Sequence, residues 1–217
     1  MEERIEIAAW ERKDIFEFFS RVSNPFYMVT FRQDVTNLYA YVKKYQLSFY
    51  YALIYLCTQA VNRVEAFHYA IRQGEVYRLE NRAPSFTDLK KGTEQFHIVT
   101  MPWGGAAEAA SMEEFCRKAR EKSQSQSCFL ESAEETDRLI YFSCLPWLDI
   151  TAVTNERDLA APSARDESIP HIAWGKYVRT GERLELGLSL EVNHRLIDGV
   201  HIGQVAQELT RQIEALA

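Results

Sequence analysis

The segment of this chain whose residue types and spacing could do chemistry is Asn193-His194-Arg195-Leu196-Ile197-Asp198-Gly199. A near-neutral imidazole can take a proton from a hydroxyl or a thiol, and a carboxylate close by can hold the surrounding loop rigid. Gly199 supplies the backbone freedom of a tight loop. The same residues also fit a core histidine beside a turn, because Asp-Gly alone is a common turn signal. Other chemistries are not spelled out. Cys57, Cys116, Cys128 and Cys144 form no C-x-x-C pair and read as free thiols. His68, His97, His171 and His201 join no metal-ligand spacing, and neither a dinucleotide fingerprint nor a phosphate-binding loop occurs. The expectation is no metal and no tightly bound cofactor.

The elements that must position His194 follow from periodicity. Leu184, Leu186, Leu188, Leu190 and Val192 alternate with Glu185, Gly187, Ser189 and Glu191, a period-two strand with one buried face. His194 shares the parity of the leucines, which sends its ring toward the core side. Ile202, Val205, Ala206, Leu209 and Ile213 make a helical stripe beyond the loop, so His194 stands at a strand-to-helix junction.

Upstream, Ile15, Phe16, Phe18, Phe19 and Val22 have helical spacing after Asp14 as N-cap, and Asn24-Pro25 stops that helix. Residues 26–32 read as a strand, 34–45 and 47–63 as helices, and 67–72 with 75–79 as a hairpin around Gly74. Strands are expected at 96–101 and 139–144, the first followed by the loop 102–105, with a helix at 112–122. Residues 155–170, polar and holding two prolines, read as a surface loop, and 171–178 as a strand joined to the last one at Thr180-Gly181. Irregular alternation of helices and strands predicts an α/β, two-layer α+β fold: one domain over 1–217 with a mixed sheet and helices mainly on one face.

Composition narrows the partners. The chain has 217 residues and a net charge of -6, with no basic stripe interleaved with aromatics, so nucleic acid is not expected. Its apolar-rich uncharged stretch, residues 47–61, is too short to span a membrane and contains Gln59. The start MEERIEIAAW lacks the basic head and apolar stretch of a secretory signal. A soluble cytoplasmic protein is the expectation.

The 193–199 segment resembles the H-H-x-x-x-D-G signature of chloramphenicol acetyltransferases, and is similar to the D-H-R-x-x-D-G of dihydrolipoyl acyltransferase catalytic domains. Trp10-Glu11-Arg12-Lys13, Phe49-Tyr50-Tyr51-Ala52, Pro84-Ser85-Phe86-Thr87, Leu145-Pro146-Trp147 and Gly175-Lys176-Tyr177 match the chloramphenicol acetyltransferase family in order and over essentially the whole chain.

That resemblance implies a general base, His194, which deprotonates an acceptor hydroxyl as it attacks the thioester of the cosubstrate acetyl-CoA. It implies that Asp198 pairs with Arg12 to fix the loop, and that the protein is a homotrimer with sites between subunits. Phe19, Tyr27 and Phe96 match acceptor-pocket positions, and Lys176 and Tyr177 match residues near the CoA nucleotide. The acceptor is chloramphenicol or another small hydroxylated molecule. His201 matches a second family histidine and reads as structural.

Three positions depart from the pattern. Asn193 replaces the first histidine of the pair, and Ala173 replaces a threonine. Ala152 stands where the family carries the serine that stabilises the oxyanion, with Thr151 and Thr154 the nearest hydroxyls. Two other readings follow: transfer to a thiol, which Arg195 would suit, and a trimeric ligand-binding relative with impaired catalysis, which Ala152 and Ala173 would suit.

Overall fold

The computed structural model describes residues 2–105, 109, 111–157, 160–161 and 163–217. Its organising element is the strand β10 (Arg183–Asn193), which pairs antiparallel with β2 (Phe26–Asp34) on one side and β8 (His171–Gly175) on the other. Beyond β8 lie β7 (Leu139–Leu145), β5 (Ala83–Leu89) and β6 (Phe96–Thr100). The β8–β7 and β7–β5 pairings are parallel and β5–β6 is antiparallel, so the sheet is mixed. A short β9 (Val178–Thr180) pairs with the start of β10, which divides the single strand expected at 171–178 into two. A separate three-stranded sheet, β1-β4-β3, is built from Glu3–Ile5, Glu75–Arg78 and Tyr69–Arg72.

The helices cover one face of the large sheet. They are α1 (Lys13–Ser20), α2 (Thr36–Tyr45), α3 (Phe49–Asn62), α4 (Met112–Ser125) and α5 (Gly199–Glu214). The leucines of β10 point into that layer, with Leu186 and Leu190 fully buried. Each such side chain stabilises the fold by about 1.5–3 kcal/mol on burial. Arg82, also buried, donates to the carbonyls of Phe67, Tyr69, Asp137, Leu139 and Ser168, tying the small sheet to the edge of the large one.

Four expectations need correction. The first is the cap of α1. Arg12, not Asp14, occupies the N-cap; Asp14 lies in the first turn, where its charge suits the positive end of the helix dipole. That helix also ends at Ser20, short of Val22.

The second is β5, a strand absent from the periodicity reading. Pro84 hid it, because proline offers no ladder donor and argues against a central strand. Here the Pro84 carbonyl still accepts from Met101 at 2.9 Å, so half of its pairing survives.

The third is the far face of β10, expected to meet solvent. Gly187, Ser189 and Glu191 are buried there, under the fourth surprise, the segment 146–170. Read as a surface loop from 155 onward, that segment covers the sheet: Arg157, Ser168, Ile169 and Pro170 reach into it. Its residues 158, 159 and 162 lie outside the described residues.

Candidate active site

β10 ends at Asn193, and His194 follows with its N–H donated to the Pro25 carbonyl at 2.8 Å. The chain then turns tightly, with Leu196 and Ile197 both donating back to the Asn193 carbonyl and both buried. Asp198 is the N-cap of α5. Its N–H donates to His201 Nδ1 at 2.9 Å, so His201 braces the helix start.

A guanidinium from the other end of the chain locks this turn. Arg12 binds both oxygens of the Asp198 carboxylate, one at 2.7 Å. It also donates to the Arg195 carbonyl at 2.9 Å and to the His194 carbonyl at 3.1 Å. One side chain therefore fixes the backbone on both sides of the His194–Arg195 peptide and the carboxylate beyond it. Its contact holds the Asp198 carboxyl below the usual carboxylate range.

The His194 imidazole is clasped between two rings, Phe19 at 3.9 Å between centroids and Tyr27 at 4.1 Å. Its Nε2 is 3.5 Å from Asp198 Oδ1, near enough to feel the charge and long for a hydrogen bond. Burial pushes the imidazole below its ordinary pKa, with Arg12 acting the same way and Asp198 opposing both. A neutral, partly desolvated imidazole with one edge open is suited to accept a proton. The Tyr27 hydroxyl is buried without a partner among the described residues, and burial, followed by the Asp198 charge, raises its pKa.

The other residues singled out in the sequence lie elsewhere in the same copy. Residues 146–157 cross the sheet's far face. A Cβ on Gly175 would overlap the Leu148 carbonyl and one on Gly187 the Ile150 carbonyl, so both glycines are needed for the loop to lie flat. Asn155 then donates to Glu191 at 2.8 Å and Arg157 Nε at 2.7 Å. Thr151, Ala152 and Thr154 thus overlie β10 between Gly187 and Glu191, exposed, on a stretch that runs from roughly 23 Å to roughly 10 Å along the strand from His194, and Thr154, at the nearer end, lines a cavity with Tyr27.

Tyr177, with exposed Lys176 before it, packs its ring on Tyr39 and Phe49 at the end of β8, opposite Gly187 rather than His194. Phe96, half-exposed against Phe129, lies on the far edge strand, about 19 Å across the sheet from β10. Phe19, Tyr27, Arg12 and Asp198 surround His194; Phe96, Ala152, Lys176 and Tyr177 do not.

Two features escaped the sequence reading. One is a cleft of about 950 Å³ between the start of α3, the end of α4 and the β5–β6 hairpin, walled by Tyr50 and Trp147 and rimmed by Lys90, Lys91 and Arg120. Nothing in local pattern joins residues so far apart. The other is the role of Asn193, whose amide donates to the Arg165 and Glu167 carbonyls and whose oxygen accepts from Arg195. Arg195 itself turns to Asp166 at 3.0 Å and is buried.

A family model of chloramphenicol acetyltransferase matches residues 2–210. The chain is 26% identical over 210 residues to a chloramphenicol acetyltransferase from Klebsiella, covering 94% of this chain and 90% of that one. A solved chloramphenicol acetyltransferase superposes with a TM-score of 0.85 at 22% identity, over 97% of this chain and 99% of the other. A probable dihydrolipoamide acetyltransferase from Listeria monocytogenes shares the fold more loosely, with a TM-score of 0.65 at 14% identity over 98% and 95%.

Proposed function

The chain belongs to the chloramphenicol acetyltransferase family and is an acyltransferase; from that premise we propose that it moves an acetyl group from acetyl-CoA to a hydroxyl of a small acceptor. His194 takes the hydroxyl proton as the oxygen bonds to the thioester carbonyl carbon. The tetrahedral intermediate collapses with loss of the CoA thiolate, which recovers the proton from the imidazolium. The observation that carries this reading is the imidazole clasped by Phe19 and Tyr27 on a loop bolted by Arg12 and Asp198.

Half of the expected site is distant from His194 within one copy. A neighbouring copy supplying Phe96, Thr151 and Ala152 completes it, which favours a ring-forming homotrimer with the acceptor between subunits. Exposed Phe96, Phe129, Trp147 and Leu148 suit burial at such an interface. The phosphates of CoA suit the cationic end of the molecule, where Lys176 follows β8 and Lys91 and Arg120 rim the cleft without a carboxylate in ion-pair range among the described residues.

Chloramphenicol is the first acceptor to test, by thiol release from acetyl-CoA with wild type, His194→Ala and Ala152→Ser. Wild-type turnover that falls about 10²–10⁴-fold in His194→Ala supports the base. Equal rates in those two proteins, across chloramphenicol and a panel of hydroxylated acceptors, would remove it. Transfer to a thiol has weaker support, because Arg195, its one favourable feature, is spent on Asp166 and Asn193. Reduced catalysis has in its favour the hydroxyls missing at Ala152 and Ala173.

A further inference from the structure

α1 brings Phe19 to the imidazole; Arg12 fixes the N-terminal end of that helix, while its C-terminal half has few anchors. Phe16 is its one buried residue, while Ile15 and Phe18 are exposed, the latter 65%. The N–H groups of Arg21 and Val22 serve the Phe18 and Phe19 carbonyls, and a side chain from another part of the chain takes the carbonyls that come next. Arg165 Nη2 donates to the Ser20 carbonyl and, at 2.7 Å, to the Val22 carbonyl. A guanidinium on terminal carbonyls both satisfies them and meets the negative end of the helix dipole.

Arg165 is in turn held by the residue before His194. Asn193 Nδ2 donates to the Arg165 carbonyl at 3.0 Å and the Glu167 carbonyl at 2.8 Å. Asn193 Oδ1 accepts from the Arg195 N–H at 3.1 Å and from its Nε at 3.3 Å. The next residue in that turn, Asp166, pairs with Arg195. These contacts close a ring: His194, Asn193, the turn at Ala164–Asp166, the end of α1, Phe19, and back to His194 through the stacked rings. It is separate from the Arg12–Asp198 pair.

We propose that Arg165, anchored by Asn193, is a positioning residue that clamps the end of α1 so that Phe19 stays stacked on the His194 imidazole and keeps water from that face. The departure at Asn193 then has a purpose, since an amide with two donors and an acceptor can join three backbone groups and the Arg195 side chain at once. Its consequence for acetyl transfer rests on His194 being the base; the clamp itself does not, and is tested without turnover.

The test is an NMR titration of the histidine ring protons in the ligand-free protein, with the His194 signal assigned by its loss in His194→Ala. Variants are Arg165→Lys, which keeps the charge but not the two-carbonyl grip, Arg165→Met, Phe19→Ala, and the double variant Arg165→Met with Phe19→Ala. The charged and titratable groups facing the imidazole are Tyr27 on β2, Asp198 with His201 beyond it on α5, and Arg12 ahead of α1, all retained in every variant. Water reaching the ring raises its pKa, so Phe19→Ala and Arg165→Met should each bind the His194 proton about threefold more tightly, with Arg165→Lys in between.

The double variant should match Phe19→Ala alone. If removing the Arg165 charge acted through space, its effect would persist in the Phe19→Ala background, and that result overturns the clamp. So does an unshifted His194 in folded Arg165→Met. Should Arg165→Met fail to fold, Arg165→Lys decides by the same criterion.

Discussion

Arg12 and Asp198 stand 186 residues apart in the chain and meet in a two-pronged ion pair in which the guanidinium is 10% exposed and the carboxylate 28%. Two further donors of Arg12 are spent on the carbonyls of His194 and Arg195. This arrangement turns the flexible junction between β10 and α5 into a fixed mount, and the start of the chain becomes part of the mount.

Removing the carboxylate in Asp198→Ala leaves a nearly buried guanidinium without its partner. The expected loss is about 2–3 kcal/mol in urea unfolding, under the range for a fully buried pair because Asp198 retains some water. Arg12→Lys should recover only part of it, since an ammonium cannot serve the carboxylate and two carbonyls together. The pH dependence has a definite sign. The folded carboxyl lies below its unfolded value, so the stabilisation is complete above about pH 4 and disappears as pH falls through the lowered folded pKa. Asp198→Ala should remove that acid-limb dependence.

The imidazole predicts the pH profile of the reaction. Burial lowers its pKa, so at neutral pH the basic form predominates and kcat/KM should be flat on that side. Activity should fall tenfold per pH unit on an acid limb centred below about 6.5. Initial rates between about pH 5 and 8 measure it. In Phe19→Ala the limb should move upward, because the imidazole is hydrated; a limb that stays in place would mean Phe19 does not shield the ring.

How much of this was legible beforehand depends on the range of the interaction. β10 and the His194 loop could be read because their signals are local, five apolar residues at period two and a turn after them. Glu191 was read wrongly for the same reason: alternation reports one buried face and is silent about a loop laid over the other. β5 was lost to Pro84. The partnership of Arg165 with Ser20 and Val22, and the spread of Phe96 and Ala152 away from His194, depend on tertiary placement that no window of sequence contains. Arg12 was reached only through resemblance, since nothing local distinguishes it from its neighbours.

Glu191 yields a sharper test of the covering loop. Its side chain is 8% exposed and that of Arg157 is 7%, with Arg157 stacked over the Phe26 ring at 3.6 Å. Burial would raise the Glu191 carboxyl, but Arg157 and Asn155 outweigh it and hold it ionised. Glu191→Ala leaves the buried Arg157 with Glu167 alone as its counter-ion, at 2.9 Å, and frees residues 151–155, with an expected cost of about 1–3 kcal/mol. Adding Arg157→Met should restore much of the stability without restoring activity, because Thr151 and Ala152 lose their tether at Asn155. Thermal unfolding and thiol release on the same samples separate the two effects.

The placement of Phe96 across the sheet from His194 gives the last prediction. If each site takes His194 from one copy and Phe96 from the next, two inactive proteins should repair each other. His194→Ala lacks the base, and Phe96→Arg closes the acceptor side. In a ring of three copies refolded from an equal mixture, a site is intact when its His194 comes from a Phe96→Arg copy and its Phe96 from a His194→Ala copy. Random assembly makes that about a quarter of all sites, so the mixture should regain about a quarter of wild-type turnover while either variant alone stays silent. A site completed within one copy would gain nothing from mixing, since every copy then carries one defect. Ala152→Ser placed on the His194→Ala partner should raise the regained rate by up to about 10²-fold, because the new hydroxyl would face the intact base of its neighbour. The same change on the Phe96→Arg partner should do nothing.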